Sequence, residues 1–139
     1  MVERMSERGR CHCGTVEIEV DFAPNALPHQ CNCSVCAMKG SVMFDVPLAA
    51  LRVVAGEERL RLYTFYTGAA KHYFCGLCGI HVFHQLRSDP NKFGVNGACF
   101  AGRGRYDFAS MPVHDGGGSH PKDTGKPMRV AGHLRYERQ

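Results

Sequence analysis

Seven of the eight cysteines stand in three tight clusters: Cys11 and Cys13 in CHC, Cys31, Cys33 and Cys36 in CNCSVC, and Cys75 and Cys78 in CGLC. Such short gaps let thiolates reach neighbouring corners of a tetrahedron about 2.3 Å from one ion, which is the ligand chemistry of zinc. Gly14, Gly76 and Gly79 flank the first and third clusters and leave the backbone room to turn its amides toward sulfur.

If two ions are bound, seven ligands divide as four plus three. Four close a structural site, whereas three leave a position open to water or substrate, as in catalytic zinc. Cys31, Cys33 and Cys36 fall within six residues and make the natural open site. Cys11, Cys13, Cys75 and Cys78 come from segments roughly 60 residues apart, so an ion there staples two halves of the chain, with about 10–16 kcal/mol of apparent binding energy. An eighth ligand from His29, His12 or Cys99 is the alternative that closes both sites. Cys99 lies in the apolar run FGVNGACF, where a free cysteine reads as a small buried hydrophobe.

An even cysteine count also permits a disulfide framework in a secreted chain. The N-terminus MVERMSERGR is charged throughout and lacks the apolar core of a signal peptide. No run reaches the roughly 18 apolar residues of a membrane span. A cytoplasmic, reduced protein is expected, in which clustered cysteines hold metal.

The elements positioning these ligands read as short strands. TVEIEV, residues 15–20, alternates polar and apolar with period two, and 42–46, 51–54, 59–66, 72–74, 80–85 and 93–99 continue the series. No stretch holds a helical period over eleven residues, and a single helical hint spans 34–38. An all-β fold of small sheets pinned by metal follows. The 139 residues fit one domain, with a core at about 8–121, a C-terminal tail at 122–139, and a glycine-rich surface loop, HDGGGSHPKDTGKP, at 114–127.

Charge argues against a nucleic-acid partner. The formal net charge of +4 falls to about +1 once seven thiolates and two zinc ions are included. Arg103 and Arg105, and the tail arginines Arg129, Arg135 and Arg138, read as solvated surface. Lys39, Arg52 and Arg87 are candidate charges for a substrate carboxylate, although surface is the plainer reading. His29, His81 and His84 are the available proton carriers, but strand histidines such as His81 and His84 are more often structural. His114, Asp115 and His120 are polar groups of the glycine-rich loop.

The ordered set GRCHCGTV, CNCSVCAMKG, FCGLCGIHVFH and FGVNGACF resembles the glutathione-dependent formaldehyde-activating enzyme family, which also includes centromere protein V. The resemblance runs from about Arg8 to about Pro121 and implies an Mss4-like, all-β fold with two zinc ions. It places Cys11, Cys13, Cys75 and Cys78 in a structural zinc site and Cys31, Cys33 and Cys36 in the catalytic one. The family's activity is carbon–sulfur lyase chemistry, joining glutathione and formaldehyde as S-hydroxymethylglutathione, so the implied partners are a small thiol and a small aldehyde. The segment HVFHQLRSDPNKFGVNGACF resembles the centromere protein V branch, which supplies the alternative of a non-catalytic, zinc-stapled binding module with a protein or nucleic-acid partner.

Overall fold

The computed structural model describes residues 5–139. In chain order the strands are β1 (Met5–Arg10), β2 (Glu17–Phe22), β3 (Gln30–Cys31), β4 (Met43–Pro47), β5 (Leu51–Ala55), β6 (Leu60–Tyr63), β7 (Lys71–Cys75), β8 (His81–Gln85), β9 (Lys92–Asn96), β10 (Ser110–His114) and β11 (Val130–Arg135). Two short helices, α1 (Ser34–Lys39) and α2 (Pro121–Thr124), interrupt them. The fold is all-β, as the alternating segments predict. It comprises three small sheets, ordered β1-β2-β5, β11-β10-β3 and β4-β9-β8-β7-β6. Named strands pair antiparallel except β10 with β3.

The alternation in β2 decides which face is core. Ile18, Val20 and Phe22 are fully buried, while Glu17, Glu19 and Asp21 take the other face. There Arg52 of β5 reaches both Glu19 (2.7 Å) and Asp21 (2.9 Å), so this arginine braces a sheet surface. Across the core, Phe22 meets Phe44 of β4 and Phe100 edge-on, with ring centroids 5.6 and 5.2 Å apart, the arrangement favoured by ring quadrupoles. Val82 of β8 and Val95 of β9 complete this layer.

Arg103 departs from its expected place on the surface. Its guanidinium lies 3.8 Å from the centroid of the Phe22 ring and forks onto the Glu7 carboxylate. Stacking and bidentate pairing are the contacts that let an arginine leave water.

Several elements differ from the sequence expectation. The run 93–99 ends as a strand at Asn96, whose side-chain oxygen accepts from the Ala98 amide and caps a 3-10 turn. Cys99 therefore lies in a turn. The helical hint at 34–38 becomes α1, closed by Gly40 at φ 64°, a left-handed conformation that glycine adopts without a Cβ penalty. β1 is a charged edge strand pairing only with β2. β11 falls within the segment read as a tail, pairs with β10 and remains largely exposed. Neither shows period-two hydrophobicity: the inward residues of β1 are Glu7 and Gly9, covered by Arg103 and Phe100, and β11 is exposed on both faces.

Candidate metal centres and the cavity beside them

Cys11 and Cys13 follow β1, Cys75 ends β7 and Cys78 lies in the turn leading to β8. The fold brings their four sulfurs within 4.8 Å of one another. Cys13 Sγ is 3.6 Å from Cys11 Sγ and 3.8 Å from Cys75 Sγ. A tetrahedral ion about 2.3 Å from each sulfur requires sulfurs roughly 3.8 Å apart, so the donor set fits. The Val16 amide donates to Cys11 Sγ at 3.3 Å and the Leu77 amide to Cys75 Sγ at 3.4 Å, orienting the sulfurs and stabilising their charge. Hydrogen bonding with Thr15 lowers the Cys13 pKa to about 6, whereas burial pushes Cys11 up to about 11. All eight cysteines are free of disulfides.

The second cluster is local. Cys31 ends β3, Cys33 immediately precedes α1 and Cys36 lies within it. Their sulfurs also lie within 4.8 Å of one another, and among the described residues no further Cys, His, Asp or Glu joins the group. Sharing of hydrogen bonds divides the thiols unequally. Contact with Cys31 and Cys36, helped by the Cys36 and Val35 amides, lowers Cys33 to about 2, while the Cys31 sulfur, then Cys33 and burial, push Cys36 up.

None of the three possible eighth ligands joins either cluster. The His29 ring stacks on His114 with centroids 4.1 Å apart, and its Nε2 lies 3.6 Å from Asp45 Oδ1. His12 is exposed. Cys99 packs against the core with its thiol 3.9 Å from the His81 carbonyl oxygen, and burial raises its pKa to about 12.

The glycine-rich segment closes over the local cluster. A Cβ at Gly116 would stand 2.5 Å from Cys31 Sγ. The Gly117 amide donates to Asn32 Oδ1 at 2.8 Å, and Asn32 Nδ2 donates to Asp115 Oδ1 at 2.9 Å. Asp115 also accepts from the Gly118 amide and pairs with Arg129. It therefore tethers the start of this segment, residues 114–118, beside the cysteines, while residues 122–127 are exposed, as expected of a surface loop.

A cavity of about 480 Å³ opens beside Cys31, Cys33 and Cys36, with His29, His114 and Phe65 among its walls. This volume is within the usual range of small-molecule sites, roughly 300–1,000 Å³. Burial lowers the pKa of His29 to about 4 and holds His114 below its ordinary value. Both rings are neutral at pH 7, each with one N–H and one lone pair. Arg87 and His120 also line the cavity. Arg87 is paired with Asp123 at 2.6 Å and lies 5.1 Å from the Tyr66 ring centroid. Lys39 instead meets His72, with Nζ 2.6 Å from Nδ1.

His81 and His84 are both buried, as a structural reading expects, but they gather with His72 in a third cluster. The sequence reading passed over His72, Asn32, Asp45 and Gly116. Distant strands and loops bring His72, Asp45 and Gly116 to the site, and Asn32, inside the CNC motif, gains its role only when Asp115 and Gly117 reach it.

An all-β domain that gathers four cysteines from two distant segments, and three consecutive ones at a cavity wall, defines a class of small cysteine-cluster domains with two candidate thiolate metal centres. The family model described as glutathione-dependent formaldehyde-activating enzyme matches residues 6–111, and the chain belongs to that family. Two curated relatives bearing the family's name are similar to it. One, from Penicillium rubens, is 32% identical over 132 residues, covering 82% of this chain and 65% of its own. The other, from Pyrenophora teres f. teres, is 32% identical over 91 residues, covering 62% of this chain and 47% of its own. The chain thus spans about half to two thirds of these relatives' lengths. A crystal structure of a Rhodobacter sphaeroides protein is similar at 45% identity with a TM-score of 0.72, covering 76% of this chain and 98% of that one.

Proposed function

We propose that the protein is a zinc-dependent carbon–sulfur lyase-type enzyme that forms or cleaves thiol–aldehyde adducts such as S-hydroxymethylglutathione. The observation carrying this reading is the three-cysteine cluster, which has no fourth protein ligand among the described residues and lines a cavity of about 480 Å³. Cys11, Cys13, Cys75 and Cys78 are read as a closed structural zinc site, and Cys31, Cys33 and Cys36 as the catalytic one. A zinc ion there supplies a fixed position for an incoming thiol and makes it acidic enough to be a thiolate at neutral pH.

The thiol loses its S–H proton, its sulfur attacks the aldehyde carbon to form a C–S bond, and the C=O π pair moves to oxygen. That oxygen takes up a proton to give the hydroxymethyl product, and the reverse sequence cleaves it. The chain's contribution is to orient two small molecules and carry the proton. His29 and His114, stacked, neutral and on the cavity wall, are the groups placed to pass it on. The uncatalysed addition is easy, so proximity supplies the few kcal/mol required. A binding module needs no open ligand position beside a cavity, and the geometry favours turnover over that alternative.

The test is Cys33→Ser assayed for adduct formation from formaldehyde and glutathione, alongside circular dichroism and zinc content. Turnover is expected to vanish while the fold persists and the zinc content falls by one ion relative to wild type. A variant with undiminished turnover refutes the assignment.

A further inference from the structure

We infer that His72, His81 and His84 form a third metal site, built for a divalent first-row transition ion and distinct from both cysteine clusters. All three histidines are buried, with exposures of 4%, 8% and 5%. Each offers one ring nitrogen, and these three nitrogens lie within 4.8 Å of one another. Histidines so deeply buried normally satisfy both nitrogens. Here His72 Nε2, His81 Nε2 and His84 Nδ1 are buried without a partner. One such nitrogen is a local defect, whereas three in a single cluster make an unfilled donor set.

The remaining ring atoms are held in place. His72 Nδ1 faces Lys39 Nζ at 2.6 Å and His81 Nδ1 faces Ser41 Oγ at 3.4 Å. The His84 ring lies against Gly94, where an added Cβ would be 2.6 Å from Cε1 and 3.1 Å from Nε2. Thus on His72 and His81 one nitrogen is engaged and the other left over, the arrangement in which outer partners fix the rings of ligating histidines, while close packing on Gly94 confines the His84 ring. Ring spacing agrees for the two pairs that include His84, and the His72–His81 pair is about 1 Å wider. With Zn–N near 2.0–2.1 Å, three tetrahedral imidazoles have centroids about 5 Å apart. The observed separations are 4.9 Å for His72–His84, 5.4 Å for His81–His84 and 6.3 Å for His72–His81.

The strands supply these ligands from two sides of one hairpin. His72 of β7 is the register partner of His84 in β8, and His81 starts β8. Burial lowers all three rings below the ordinary histidine range, which keeps them in the unprotonated form that binds metal. Imidazole donors suit zinc, copper, iron and nickel.

Three neutral ligands leave the ion's double charge intact, unlike three thiolates, and leave a fourth position for an oxygen ligand. His72 and His84 also line the cavity of the cysteine triplet. An ion held by the three histidines would adjoin that chamber and would supply Lewis-acid character beside it.

The test is a metal count that does not depend on turnover. The whole chain is saturated with Zn²⁺, dialysed and analysed, and three ions per chain are expected. His81→Asn with His84→Gln is expected to bind two, with near-ultraviolet circular dichroism unchanged. Independently of any variant, the wild-type chain loaded with cadmium is expected to show three NMR resonances, two in the thiolate range and one in the range of nitrogen and oxygen ligands. A wild-type chain that saturates at two ions with Zn²⁺, Co²⁺ and Ni²⁺ alike, or a third ion that survives in the double variant, overturns the inference.

Discussion

Gly116→Ala is the perturbation whose outcome the geometry constrains most closely. Gly116 does not have a positive φ, so alanine is acceptable to the backbone and the effect is one of space. The new Cβ would stand 2.5 Å from Cys31 Sγ, against 3.4–4 Å for ordinary contact. About 1 Å must be absorbed by the sulfur or by the segment tethered through Asn32 and Asp115. Metal sites tolerate roughly ±0.2 Å in ligand distance, so the triplet loses its geometry before the fold loses stability. Changes beside metal ligands typically lower affinity 10–100-fold, equivalent to about 1.4–2.8 kcal/mol. Competition titration with a chromophoric chelator resolves the tight and weaker zinc classes in wild type and variant. The expected result is a 10–100-fold weaker triplet, an unchanged four-cysteine site and an unchanged melting temperature. Gly132→Ala, where an added Cβ meets nothing within 4 Å, is the neutral control. Equal affinity at the triplet, or equal weakening at both sites, refutes the reasoning.

Cys75→Ser removes a fully buried member of the four-cysteine cluster, the proposed structural zinc site that joins the end of β1 to the β7–β8 hairpin. Structural zinc is worth about 10–16 kcal/mol of apparent binding energy and a domain's whole stability about 5–15 kcal/mol, so a thermal scan is expected to show no cooperative native transition. Phe22→Ala opens a cavity among Phe44, Phe100 and Arg103 and is expected to cost about 3–5 kcal/mol, read from the denaturant midpoint at constant slope. Asp115→Asn tests the tether. Asn32 and Arg129 lower the Asp115 pKa, so its stabilisation is present above the unfolded carboxylate value of about 3.9 and lost as pH falls through the lower folded value. The stability gap between wild type and variant is expected to be open at pH 7 and closed at the acid end of a urea series.

Much of this molecule was legible because chelation is written locally. CNCSVC and CGLC announce their chemistry by spacing, and TVEIEV announces a half-buried strand by period. What escaped was whatever depends on distant pairing. β10 and β3 align in parallel across some 80 residues, which is how Gly116 arrives beside Cys31. His72 is an unremarkable strand residue until antiparallel register sets it opposite His84. Arg103 looked like surface charge because the Phe22 face and Glu7 that receive it lie about 80 and 96 residues away in sequence.

The cavity joins two kinds of structure. One side is the cysteine cluster running from β3 into α1, and much of the rest comes from connecting segments around Phe65–Ala70, Leu86–Ser88 and Gly116–Met128. Connections of this kind accept substitution and insertion more readily than the strands they join. A lineage carrying this domain can therefore reshape the chamber, and with it the molecules admitted, while leaving the cysteines untouched. Divergence in selectivity is expected to appear first in these three stretches, and exchanging them between relatives is the economical route to altered preference.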